Sequence, residues 1–144
     1  MSRNIRAWLP STALVVNVTM ADSLIPSDVL EFLLEHIDSV AELEALLLLR
    51  SNAGHAWTVP LMSKRLYIDE PQCIGVLRHL EAQGLCACTE GHYHYALSNS
   101  PKQETVDRLA HTYSHYLIPV TNVIHNKPAR IQKFADAFRF WRGK

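Results

Sequence analysis

The chain has 144 residues, 48% of them apolar and 19% charged, with 14 basic and 14 acidic side chains; this is the make-up of one ordinary domain with additions and enough chain for a real core. Its neutrality is uneven, because residues 22–100 hold four basic groups against eleven acidic ones, net −7, whereas residues 101–144 hold eight against three, net +5, and Arg3 and Arg6 supply the rest. No apolar run is long enough to span a membrane, no repeat or low-complexity tract is present, and three cysteines, an odd number, point to a reduced cytoplasmic setting.

Residues 1–21 read as an N-terminal extension, expected to be poorly ordered. Ala13–Val18 is a short apolar patch broken by Asn17, and Thr19-Met20-Ala21 resembles a cleavage site. The run is nevertheless shorter and more polar than an export signal prefers, and Pro10 and Ser11 interrupt its approach. A true start at Met20 accounts for it better. Ser27 is placed to cap a first helix running to about Ile37, with Val29, Leu30, Leu33, Leu34 and Ile37 on its buried side. Ser39 and Glu42 form a capping box for a second helix, Val40 to about Ser51. Leu43, Leu46, Leu47, Leu48 and Leu49 make that helix apolar over most of its girth, which belongs in the centre of a core or interface. Asn52-Ala53-Gly54 ends it. Ala56-Trp57-Thr58 is a short extended piece, and Thr58 caps a third helix, Val59 to Leu66, with Pro60 in its first turn. Tyr67-Ile68 makes the turn that follows.

The stretch Asp69–Leu97 organises the rest. Asp69 is an N-cap with Gln72 three residues on, and Pro71 falls where a missing N–H costs nothing. Cys73, Val76, Leu77 and Leu80 then recur at helical spacing, and Gly84 stands where a left-handed residue ends a helix. Leu85–Thr89 and His92–Leu97 flank Glu90-Gly91, a two-residue hairpin signal. The order helix, short strand, helix, turn, helix, hairpin is that of a winged helix-turn-helix. VLRHLEAQGL is similar to the end of the recognition helix in MarR-like and related bacterial winged-helix regulators: a buried Leu, an acidic residue, two variable positions, then Gly-Leu into the wing. Those positions here are Leu80, Glu81, Ala82, Gln83, Gly84 and Leu85. The resemblance covers about Ser39 to Leu97. It implies a winged-helix domain over 22–100 and DNA as ligand, although such regulators present more basic residues on this helix and wing than are found here.

Residues 101–144 read as a C-terminal helical extension used for dimerisation. Val106, Leu109, Ala110, Tyr113, Tyr116 and Leu117 make one amphipathic helix, Pro119–Asn126 another turn or two, and Pro128 starts a last helix with Ile131, Phe134, Ala135 and Phe138 as its buried stripe. Lys133 and Phe140 fall opposite, and an isolated surface Phe points to a partner. The basic tail is expected to meet the acidic winged-helix surface of a second subunit. The ending IQKFADAFRFWRGK is similar to small bacterial proteins of uncharacterised role, which implies no chemistry. The fold expected is mainly α (α+β): a winged helix with a two-stranded wing and additional N- and C-terminal helices.

Two sets of residues could suggest a metal. Cys86, Cys88, His92 and His94 lie within nine residues. A two-residue loop, however, pairs Thr89 with His92, Cys88 with Tyr93, Ala87 with His94 and Cys86 with Tyr95. Both cysteines then share the core face with the tyrosines, and both histidines face away. Asp107, His111 and His115 fall on one helical line, a pattern more often a solvated face than a chelate. No metal and no cofactor is therefore expected. No nucleophile motif, P-loop or dinucleotide fingerprint occurs, and Cys73 sits in an apolar stripe, so the chain reads as a non-enzyme.

For DNA, the outward face of the fourth helix carries Glu70, Pro71, Gln72, Ile74, Gly75, Arg78 and His79. Gln72 suits adenine and Arg78 guanine in a major groove; Lys64, Arg65, His92 and His94 suit phosphates. Ile74 and Gly75 are poor readers and Glu70 repels phosphate. Two functions stay open: a DNA-binding transcription regulator, and a winged helix that binds or assembles with protein instead. Both are expected as a homodimer and neither needs a membrane.

Overall fold

Six helices and one small antiparallel sheet make up the described part of the chain, which in this computed structural model comprises the backbone of residues 24–142 and the side chains of residues 24–129. The expectations for residues 1–21, and those for the side chains of Ile131, Lys133, Phe134, Ala135, Phe138 and Phe140, lie outside the described residues. In chain order the elements are α1 (Ser27–His36), α2 (Val40–Ser51), α3 (Val59–Leu66), α4 (Glu70–Ala82), β1 (Cys86–Thr89), β2 (His92–Tyr95), α5 (Gln103–His115) and α6 (Leu117–Arg142). No described helix is long and apolar enough to cross a membrane.

Local capping chemistry starts α2, α3 and α4 where the sequence places them. Ser39 Oγ accepts the Glu42 N–H at 3.1 Å, and Glu42 Oε1 accepts the Asp38 N–H at 2.7 Å. The box is therefore closed one residue upstream of the usual return bond. Thr58 Oγ1 accepts from Leu61 N–H and Asp69 Oδ1 from Gln72 N–H. The first helix is different. Pro26, not Ser27, occupies its N-cap, and no side chain caps it. Its buried face is also rotated, so Phe32 and His36 are buried while Leu30 and Leu34 are only half covered.

The α4 exit has a full Schellman geometry. The Leu85 N–H reaches Leu80 O at 2.9 Å and the Gly84 N–H reaches Glu81 O at 2.9 Å, around Gly84 at φ +77°. Leu80 and Leu85, the two residues that seal such a motif, are both completely buried. This aims the chain into the hairpin. There Glu90 (φ 53°) and Gly91 (φ 79°) both take positive φ, the pattern of a type I′ turn. The register is the expected one: Cys86–Tyr95, Ala87–His94, Cys88–Tyr93 and Thr89–His92. Trp57 adds a one-residue bridge to the outer edge, exchanging 2.7 Å hydrogen bonds with Tyr93 in both directions. The hairpin is thereby pinned to the α2–α3 connection.

One apolar cluster runs from Ile25 through Leu43, Leu46, Leu49, Leu77, Leu80 and Leu85 to Leu109, Val120 and Ile124. The C-terminal helices thus share the core of the preceding elements. Leu43, Leu46 and Leu49 of α2 are fully buried at its centre, with α3, α4 and β2 around them, while α1 packs against α5 and α6.

Two C-terminal expectations need correction. Tyr116 and Leu117 do not continue the buried stripe of α5. They are exposed at the α5–α6 elbow, and Thr112 is buried with Val106 and Leu109 instead. Nor does Pro128 start a helix, because α6 runs through it as one 26-residue helix. A residue before proline avoids the helical region, yet Lys127 is held there. Its ammonium donates to Ile37 O (2.8 Å), Leu33 O (3.4 Å) and Asp38 Oδ1 (2.7 Å). Val120, Val123 and Ile124 are buried one to two turns earlier. Tertiary anchoring outweighs the local break.

Candidate nucleic-acid interface

The α3–turn–α4 unit presents one continuous exposed surface. Glu70, Pro71, Gln72, Gly75 and Arg78 of α4 are exposed and Ile74 is half-buried, because the opposite stripe of Cys73, Val76, Leu77 and Leu80 is committed to the core. Lys64 and Arg65 are exposed at the end of α3. Between the helices Tyr67 takes a left-handed conformation, φ 58°, and is 93% exposed. In the sequence Tyr67 reads only as part of a turn, and nothing in its spacing marks it out.

Charge pairing changes the electrostatic picture drawn from counting residues. Arg108 Nη2 lies 2.7 Å from Asp28 Oδ2, Lys127 Nζ lies 2.7 Å from Asp38, and Arg50 Nε lies 2.8 Å from Asp107. Arg108 and Lys127 belong to the basic C-terminal section, Asp28 and Asp38 to the acidic part. These two pairs therefore join the oppositely charged sections within one chain, where complementarity had been expected between subunits. Asp28 is held below the usual carboxylate range, first by its hydrogen bond to Arg108 and then by that guanidinium's charge, with burial opposing. Among the described residues, Lys64, Arg65 and Arg78 form no ion pair. Among the described residues these three cations of α3 and α4, with Lys102 at the start of α5, are the ones without a carboxylate partner; Lys102 Nζ lies 3.2 Å from His36 Nε2. Arg65 instead lies over the Trp57 ring, 5.6 Å from its centroid, a cation–π arrangement.

His79 does not join the exposed face. Its ring turns into the α1–α2 junction, with Nε2 3.1 Å from His36 O, 3.5 Å from Glu42 Oε1 and 3.7 Å from Asp38 Oδ2. The helical position was legible, but the ring direction follows from α1 and α2 packing alongside. On the hairpin, His92 is exposed and His94 half-buried.

The metal-like sets are also rearranged. The hairpin pairing puts the cysteines and the two histidines on opposite faces. Asp107 turns to Arg50, leaving the His111 and His115 rings side by side, tilted by 38° with centroids 4.3 Å apart. Asp38, Glu42 and His79 do converge, their ligand atoms within 4.8 Å of one another. Sequence reasoning missed this trio because its third member comes from another helix. Lys127 already supplies a positive charge to Asp38, and Glu42 Oε1 is engaged by a backbone N–H. The trio therefore acts as a polar clasp between α1, α2, α4 and α6. Cys86 is buried, and that burial, with smaller contributions from Glu81 and Cys88, pushes its thiol up to about 12. Cys88 shares its face but is only half-buried, less covered than the register alone suggests.

Comparison with protein-family models, with curated proteins and with solved structures gave no match to this chain.

Proposed function

We propose that this chain is a winged-helix DNA-binding protein acting as a cytoplasmic, bacterial-type transcription regulator. One observation carries the reading: α2, the Trp57 bridge, α3, a tight turn, α4 and a type I′ hairpin follow in winged-helix order, and α3 and α4 carry three exposed cations, Lys64, Arg65 and Arg78, without a carboxylate partner among the described residues. In this reading α4 enters a major groove, where Gln72 faces adenine and Arg78 guanine. Lys64, Arg65, His92 and His94 meet phosphates and set the register on the duplex. His79 acts behind them, holding α4 against α1 and α2. Three free thiols suit a reduced compartment. A homodimer would present two α4 helices to successive grooves.

A second reading rests on a separate observation. Leu61 and Tyr67 are exposed beside α4, and Glu70 stands at its N-terminus, a surface that suits a protein partner better than a phosphate. Titration of the intact protein with random duplex at two salt concentrations, with its native mass measured alongside, separates the two. Binding that weakens steeply with salt supports the regulator. No measurable binding at low salt sinks it in favour of the protein-binding module, and a monomeric mass at micromolar concentration removes the dimer.

A further inference from the structure

Where the end of α2, strand β2 and the start of α5 meet, the surface folds into a cleft of about 460 Å³ lined by Arg50, Ser51, Tyr95, Ser98, Gln103 and Asp107. These six side chains carry hydrogen-bonding groups, with Ala53 the one apolar side chain beside them, and the volume suits a small molecule. Arg50 Nε donates to Asp107 Oδ1, the single hydrogen bond between them. Among the described residues, the terminal guanidinium nitrogens and Asp107 Oδ2 have no partner. Tyr95 is 6% exposed and its hydroxyl is buried without a hydrogen-bond partner among those residues. Leaving such a group unpaired is costly, yet hairpin pairing with Cys86 directs the side chain here. Burial, then the charge of Asp107, raises the Tyr95 pKa, with Arg50 pulling the other way. The hydroxyl therefore keeps its proton and is a neutral donor close to both charges.

We propose that this cleft binds a small dipolar molecule carrying a carboxylate beside an amino group, the chemistry of a free amino acid. The ligand carboxylate takes the Arg50 guanidinium and its ammonium takes Asp107. Tyr95, reached once the two side chains part, donates its hydroxyl to the carboxylate. Charge balances, since one pair inside the protein is exchanged for two across the interface. A pair with side chains 31% and 45% exposed is weakly held in water, so parting it costs little. A simple anion would leave Asp107 facing it, and a simple cation would leave Arg50 facing it; the dipolar ligand satisfies both. Once bound, it ties the hairpin to α5. The proposal does not depend on DNA binding.

Thermal unfolding of the full chain tests it, with free amino acids as probes beside matched carboxylates lacking the amine and amines lacking the carboxylate. The expected result is stabilisation by one or more amino acids, absent with either half-molecule and lost in both Arg50→Gln and Asp107→Asn. Tyr95→Phe should unfold at the same or a higher temperature without ligand, because it removes an unpaired buried hydroxyl. It should nevertheless bind about tenfold more weakly, the value of one hydrogen bond. The proposal is overturned if no free amino acid shifts unfolding at tens of millimolar. A shift given equally by simple carboxylates, or one that survives Arg50→Gln, overturns it too.

Discussion

Arg78 and Lys64 are both exposed without a carboxylate partner, but their positions assign them different work. Arg78 lies on the outward side of α4, so Arg78→Ala should cost on the order of 1–3 kcal/mol of specific duplex binding and relax the preference at one base pair. Lys64 lies on the preceding helix. Lys64→Ala should weaken binding on every sequence alike and lower the salt slope by about 1; titrations on two duplexes over a salt series distinguish these outcomes. Asp28 gives a pH prediction. Its folded pKa is lowered by Arg108, so its contribution to stability is present above the ordinary carboxylate range and lost as pH falls through the depressed value. The gap in melting temperature between the wild type and Asp28→Asn should hold at neutral pH and close in acid. Because the pair is exposed, added salt should shrink it. Cys86, with its thiol pushed up to about 12, should react with a thiol reagent at pH 8 far more slowly than half-buried Cys88. Equal labelling rates would contradict the burial.

At the scale of the element, two glycines near each other should respond oppositely to alanine. Gly75 is exposed inside α4, and a Cβ there meets nothing within 4 Å. Gly75→Ala should therefore stabilise the fold by about 0.5–1 kcal/mol through backbone entropy. Gly84 has equal room but sits at φ +77°, where an L-residue costs roughly 1–2 kcal/mol. Gly84→Ala should destabilise by about that much. Urea midpoints for the two variants, at unchanged slope, measure this directly. The α4 signals were legible because each is local: Asp69 to Gln72, the stripe from Cys73 to Leu80, and Gly84. The hairpin register was legible because a two-residue loop leaves one pairing. Helix α6 was not, since Pro128 is a local stop signal overruled by contacts of Lys127 with the distant C-terminal end of α1.

For the molecule as a whole, Lys127 is a buried tie between the N-terminal and C-terminal helices. It is 6% exposed, and its ammonium closes the carbonyl end of α1, where a positive charge also complements the helix dipole. Lys127→Met should destabilise by on the order of 1–3 kcal/mol, because the carbonyls of Leu33 and Ile37 and the Asp38 carboxylate lose a charged donor. Chemical unfolding followed by fluorescence and by circular dichroism should still give one coincident transition, since α1, α5 and α6 share the core with α2, α4 and the hairpin. A split transition would show that residues 101–129 fold separately from the rest.

The caps, the apolar stripes, the left-handed stop at Gly84 and the hairpin pairing are set by residues within a few positions of one another, so they stand in the sequence by itself. The tertiary structure alone decided where His79 points, which cations remain free, how α6 passes Pro128, and that Arg50, Tyr95 and Asp107 line one cleft. The physical reason is distance along the chain. Arg50 meets Asp107 across 57 positions and Lys127 meets Leu33 across 94. No periodicity or spacing records a contact made only when separate helices pack together.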